Sequence, residues 1–165
     1  MDITVRPQIE CSVLERNAFV ALVLEGAEVP ANFLQDGILR ARTLLWIASG
    51  NHLSAVAAIK IPLAIYRFNT FKKAKAPDQA VHFPIELGYI YVASVHRGKG
   101  FATALVNRAI NLAGAEGMLA TTRVDNTAMQ VILSKAEFAR LGSDYASEED
   151  ESRLLRLYVR EGAPA

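Results

Sequence analysis

Apolar positions recur at two different periods along this chain, and the switches between them outline its elements. Residues 3–5 alternate around one polar position and stop near Pro7, which reads as a short first strand. From Ser12 the spacing becomes helical. Val13, Leu14, Phe19, Val20, Leu22, Val23 and Leu24 recur on a helical period, with Ser12 placed to cap the start and Gly26 to stop the end. A second helix is expected from Pro30 to about Ala41, with Phe33, Leu34, Ile38 and Leu39 on one stripe. Residues 43–49 then read as a strand, Gly50-Asn51 as a turn and residues 53–61 as a third strand, so the pair makes a hairpin.

Residues 62–84 interrupt this order. They carry Arg67, Lys72, Lys73 and Lys75 with little periodicity and read as a long basic loop. The apolar run at 85–95, with Tyr89 and Tyr91, is expected to be a central strand. A helix over 100–113 buries Ala102, Leu105, Val106, Ala109 and Ala113 and exposes Thr103, Asn107, Arg108 and Asn111. Residues 118–124 read as a strand, and 127–135 as a helix capped by Asn126. Residues 138–141 and 154–159 read as closing strands around the acidic loop 147–151. No repeat or linker divides the chain, so one mixed α/β domain over residues 1–165 is expected.

Composition narrows the chemistry. Hydrophobic residues make up 52% and charged residues 21%, which excludes disorder. A net charge of +1 gives no global attraction for nucleic acid, and aromatic residues do not interleave the basic ones, so no nucleic-acid partner is expected. Any anion must be captured by a local site. The single cysteine, Cys11, allows no intramolecular disulfide and fits a reducing compartment; with no histidine nearby in sequence it reads as a small hydrophobe. The first residues lack the pattern of a signal peptide, and the longest apolar stretch, 53–66, is broken by Lys60 and Pro62 and too short for a bilayer. A soluble cytoplasmic protein without a membrane partner is expected. His52, His82 and His96 show no metal-ligand spacing, so no metal is expected.

One segment supplies a local anion site. Arg97-Gly98-Lys99-Gly100-Phe101-Ala102 follows a strand and opens an amphipathic helix. Two glycines permit positive φ, so successive N–H groups can converge on one point. The helix start adds unsatisfied donors and the positive end of its dipole, and Arg97 and Lys99 add full charges. Phosphate or pyrophosphate fits such a pocket. The frame matches neither a P-loop nor a dinucleotide fingerprint.

The run from Tyr91 to Ala102 resembles the Gcn5-related N-acetyltransferase (GNAT) signature Gln/Arg-x-x-Gly-x-Gly/Ala, with Arg97, Gly100 and Ala102 in the three defined positions and Val92 upstream. The predicted element order resembles that family over nearly the whole chain. The resemblance implies a mostly antiparallel central sheet with splayed fourth and fifth strands and about four flanking helices. It implies acetyl-coenzyme A as co-substrate, its pantetheine arm on backbone groups of Tyr91 and Val92 and its pyrophosphate on amides of Gly98, Lys99, Gly100, Phe101 and Ala102 beside Arg97. Asn126 resembles the asparagine that opens the next family helix and is carried over as a cofactor contact. The implied reaction is direct attack of a primary amine, on a small molecule or a peptide, within a ternary complex. The alternative is a non-catalytic coenzyme A sensor or assembly module of the same fold. The closing strands of this architecture often pair between subunits, so the resemblance also implies a homodimer.

Acetyl transfer requires a base for the amine. Glu86 interrupts an apolar run, shares an expected strand face with Gly88, Ile90 and Val92, and stands where a histone-acetylating branch of the family places its general-base glutamate. The other reading is an ordinary strand-end glutamate in water. Three departures stand out. Leu133 occupies the position where many members carry a tyrosine as general acid, Met129 stands at an alanine position, and Glu137 replaces a usual glycine. Tyr145 can supply a phenol only if the following strand lets it reach back. His96 reads as a surface residue of the anion loop, and Tyr89 and Tyr91 as core. The basic residues 67–75 read either as attraction for an acidic acceptor or as a solvated loop.

Overall fold

The computed structural model describes residues 1–164. In chain order its elements are β1 (Thr4–Pro7), α1 (Val13–Glu25), α2 (Ala31–Leu39), β2 (Ala41–Ser49), β3 (His52–Lys60), α3 (Ala64–Lys73), β4 (Ile85–Val92), α4 (Phe101–Ala113), β5 (Met118–Arg123), α5 (Thr127–Lys135), β6 (Ala139–Arg140), β7 (Tyr145–Ala146) and β8 (Leu154–Arg160). Short 3-10 turns lie at Gln8–Glu10, Pro77–His82 and Ser94–His96. The fold is mixed α/β: an eight-stranded sheet, mostly antiparallel with one parallel pair, β4 and β5, and helices. The chain forms two compact units. The first is Met1–Ile61 with Leu87–Leu112; the second is Pro62–Glu86 with the chain from Ala113 onward.

In the first unit the strand order is β1, β2, β3, β4, with β1–β2 and β2–β3 antiparallel. Leu44 to Ile47 on β2 and Ala55 to Ile59 on β3 are buried without a break, the mark of strands covered on both faces. Leu44, Trp46, Val56 and Ala58 pack with Phe19, Val20, Leu22 and Val23 of α1 and Leu34 and Ile38 of α2. Each large side chain buried there contributes roughly 1.5–3 kcal/mol. Ser12 caps α1 as its spacing predicts and completes a capping box. Its hydroxyl accepts from the Glu15 N–H at 3.1 Å, and the Glu15 carboxylate accepts from the Ser12 N–H at 2.8 Å. Arg6 of β1 pairs with the same glutamate. On α2, Leu34 and Ile38 are buried but Phe33 and Leu39 are exposed, so its apolar stripe is narrower than expected.

In the second unit the order is β4, β5, β8, β6, with β7 also on β8. The parallel ladder of β4 with β5 covers two pairs, Ile85↔Met118 and Glu86↔Leu119. A ladder this short is consistent with the splayed fourth and fifth strands implied by the family resemblance. Segment 62–84 corrects the sequence reading. The expected long loop is helix α3 followed by the turn at Pro77–His82, and this helix takes the α-helix total among the described residues to five where about four were expected. Its buried residues are Thr70 and Phe71, with Ala74 buried at its C-cap, and Phe71 stacks on Phe83 at 5.8 Å between ring centroids. Phe71, Ala74, Ala80, Phe83, Leu119 and Leu157 form the core of this unit. The helix is thus held by packing, while Ile65 and Phe68, the residues that blur its pattern, face solvent.

Candidate active site

The first unit carries the anion loop. β4 ends at Val92, three residues earlier than expected, and a 3-10 turn at Ser94–His96 leads into the glycines. Gly98 and Gly100 hold φ of +77° and +78°, with open space where a Cβ would stand. Their requirement is therefore conformational and not steric. The Ala104 N–H donates to the Gly100 carbonyl at 3.0 Å, closing the first helical bond of α4. The N–H groups of Phe101, Ala102 and Thr103 precede that bond and form the donor end of the helix. Lys99 donates its ammonium to His96 Nδ1 at 3.1 Å, and the His96 ring stacks on Phe101, so this histidine belongs to the loop as expected.

Arg97 lies back along β4. Its Nε donates to the Val92 carbonyl at 3.4 Å, one terminal nitrogen donates to the Tyr91 hydroxyl at 3.3 Å, and its guanidinium stands 5.7 Å from the Tyr91 ring centre. Arg97, Tyr91 and Val92, three of the residues expected to touch coenzyme, are thereby brought together. Tyr91 and Tyr89 both pack on the core of the first unit, which agrees with their reading as core residues. Tyr89 has φ of +53°, a left-handed value that a bulky residue adopts only when its surroundings impose it. Lys60 Nζ stands 4.5 Å from its ring centre, and a Cβ on Gly37 would meet its hydroxyl at 2.0 Å. The left-handed Tyr89 interrupts the alternation between Glu86 and Gly88 on one side and Ile90 and Val92 on the other.

The second unit carries the carboxylate. Glu86 is 3% exposed, which sets aside the reading of a strand-end glutamate in water. Tyr66 of α3 donates its hydroxyl to Glu86 Oε1 at 3.4 Å. The Glu86 charge, then burial of the hydroxyl, raises the Tyr66 pKa well above that of an ordinary phenol. Burial, then Glu86, raises that of Tyr145 on β7 as well. Both phenols stay protonated through neutral pH, and Tyr66 donates to the carboxylate. Leu133, at the tyrosine position of many relatives, is fully buried and offers no hydroxyl. Sequence reasoning missed Tyr66 because its segment read as a loop; the uninterrupted run between Pro62 and Pro77, free of glycine and proline, was the available signal for a helix.

Around α5 the side chains serve structure. Asn126 caps the helix, its Oδ1 accepting from the Met129 N–H at 3.1 Å. Arg156 binds Asp144 through two bonds of 2.9 Å and Gln130 through a third, and Gln130 donates to the Val124 carbonyl at 2.8 Å. Glu137, the substitute for the usual glycine, sits at φ of +67° just past the helix end. Cys11 is buried, its thiol 3.5 Å from the Pro7 carbonyl. Among the described residues no group of three or more His, Cys, Asp and Glu could hold a metal, and no helix is long and apolar enough to cross a membrane.

The sequence matches the model of the Acetyltransferase (GNAT) family over residues 28–142. The chain belongs to that family. Comparison with curated proteins gives no sequence match. Similar solved structures include Escherichia coli ElaA, with a TM-score of 0.73 and 14% identity over 98% of this chain and 100% of the other. An acyl-CoA N-acyltransferase from Pseudomonas aeruginosa gives 0.70 and 14%, over 96% and 98%. The ribosomal-protein-S18-alanine N-acetyltransferase of Escherichia coli gives 0.67 and 13%, over 99% and 96%. At these identities the likeness is one of fold.

Proposed function

We propose that this chain is an N-acetyltransferase that moves the acetyl group of acetyl-coenzyme A to a primary amine within a ternary complex. The observation that carries the reading is the loop from Arg97 to Ala102: two left-handed glycines, two cations and the donor end of α4 in a chain of almost no net charge. These residues suit the coenzyme's pyrophosphate. Tyr91 and Val92 would take the pantetheine arm, which exchanges with the Arg97 guanidinium at the Val92 carbonyl, and Asn126 is a further coenzyme contact through its amide nitrogen.

In the transfer, the amine gives a proton toward Glu86 and its nitrogen forms a bond to the thioester carbon. Collapse of the tetrahedral intermediate breaks the carbon–sulfur bond and releases the thiolate, which takes up the proton that the amine gave and leaves Glu86 ionised again. The burial of Glu86 and its hydrogen bond from Tyr66 support the role of base. A cytoplasmic enzyme acting on a small-molecule or peptide amine as a homodimer fits the same reading. Thiol release from acetyl-coenzyme A, followed over a panel of primary amines, tests it. Amine-dependent release is expected. Coenzyme binding without release for any amine would instead identify a coenzyme sensor, a reading that Leu133 at the tyrosine position favours.

A further inference from the structure

Helix α3 borders a cavity of about 240 Å³ in the second unit, lined by Ile65, Tyr66, Asn69, Thr70, Lys73 and Glu148. Tyr66, Asn69, Thr70 and Lys73 fall at the spacing of one helix stripe, so four of the six lining residues come from a single face. The volume lies below the range of sites that enclose a drug-sized ligand, and it suits a metabolite or a single residue of a peptide. At one end Tyr66 leads to Glu86 through its hydroxyl. At the other, Lys73 pairs with Glu148 of the acidic loop.

That pair is readily exchanged. The Glu148 side chain is 74% exposed and that of Lys73 34%. An exposed ion pair contributes little to stability, so a competing carboxylate can take Lys73 from Glu148 at small cost. Lys73 is fixed on the helix, and long helical side chains lean toward the N-terminal end, here toward Tyr66. The cavity thus presents a hydrogen-bonding route to a buried carboxylate at one end and an exchangeable cation at the other, with the amide of Asn69 between them.

We propose that this cavity is the acceptor subsite and that it selects a small amine carrying its own carboxylate, with the acceptor carboxylate replacing Glu148 on Lys73 and its amine directed to Tyr66 and Glu86. The assignment rests on the transferase reading above and adds the class of substrate. It also gives the basic segment 67–75 a use that is narrower than general attraction. Only Lys73 of its lysines lines the cavity.

The test compares free amino acids and glycyl dipeptides with their carboxamides and with diamines of matched length, in the thiol-release assay at fixed acetyl-coenzyme A. The acids are expected to exceed their amides in kcat/KM by tenfold or more. Lys73→Met should bring the acids down to the amides, and Glu148→Gln should raise the acids a few-fold by removing the competitor. Equal rates for acid and amide, a preference for diamines, or an acid preference untouched by Lys73→Met would overturn the subsite. If no amine is acetylated, the transferase reading fails alone, and ligand-observed NMR then decides the subsite. Binding of acids but not amides, lost in Lys73→Met, sustains it; binding of neither overturns it.

Discussion

The two units build their chemistry in different ways. In the first, the anion loop is made of backbone: the glycines at positions 98 and 100 supply left-handed turns, and the start of α4 supplies donors, all within six consecutive residues. In the second, the device is made of side chains. Glu86 from β4 and Tyr66 from α3 lie 20 positions apart in sequence and meet through the core of Phe71, Ala74, Phe83, Leu119 and Leu157, and the Glu86 charge acts on Tyr145 of β7. A backbone device depends on local φ and is disabled by changing conformation or charge at one position. A side-chain device depends on tertiary packing and is tuned one group at a time.

The largest expected effect breaks the backbone device. Gly100→Glu places a carboxylate in the anion pocket and forces a non-glycine residue to φ of +78°. Acetyl-coenzyme A affinity measured by calorimetry should fall about 100-fold or more, roughly 3 kcal/mol. Because nothing lies within 4 Å of the added Cβ, the protein should still fold. Gly100→Ala should lose much less.

The side-chain device is sharpened by pH. Burial and Glu86 hold the Tyr145 pKa above that of the phenol in the unfolded chain. The folded state therefore binds the proton more tightly, and this stability is complete below about pH 10 and is lost as pH rises further. Urea unfolding between pH 10 and 11 should show a steeper loss for the native protein than for Tyr145→Phe, by at most about 1.4 kcal/mol per pH unit. Equal slopes would place the phenol in solvent.

The smallest effect concerns Glu137. At φ of +67° it holds a conformation that glycine adopts freely. Glu137→Gly should stabilise the chain by about 0.5–1 kcal/mol, a rise of a few degrees in Tm. Its pairing with Arg160 offsets little, since the Glu137 side chain is 80% exposed.

The same contrast explains what the sequence disclosed. α1 was legible because its cap, its apolar spacing and its stop are local, and the bounds of α5 were as expected for the same reason. The anion loop was legible from glycines between a strand and an amphipathic helix. α3 was not, because its buried residues are Thr70 and Phe71 while Ile65 and Phe68 face outward, so the apolar positions do not mark the packed face. β7 was missed because two residues carry no periodicity, and the expected strand at 138–141 shrinks to Ala139–Arg140 for want of a longer partner register. The burial of Glu86 was readable from its apolar flanks. Its partner Tyr66 was not, since it lies 20 positions earlier on a helix whose apolar positions do not mark its packed face.

The central claim is that coenzyme binding and proton removal are separable, one in the loop and one at Glu86. Glu86→Gln tests it most directly, with acetyl-coenzyme A affinity by calorimetry and kcat by thiol release measured on the same preparation. The account predicts a kcat lowered by about 100-fold or more, with affinity within twofold of the native value. A kcat that survives the substitution, or an affinity that collapses with it, would contradict the account.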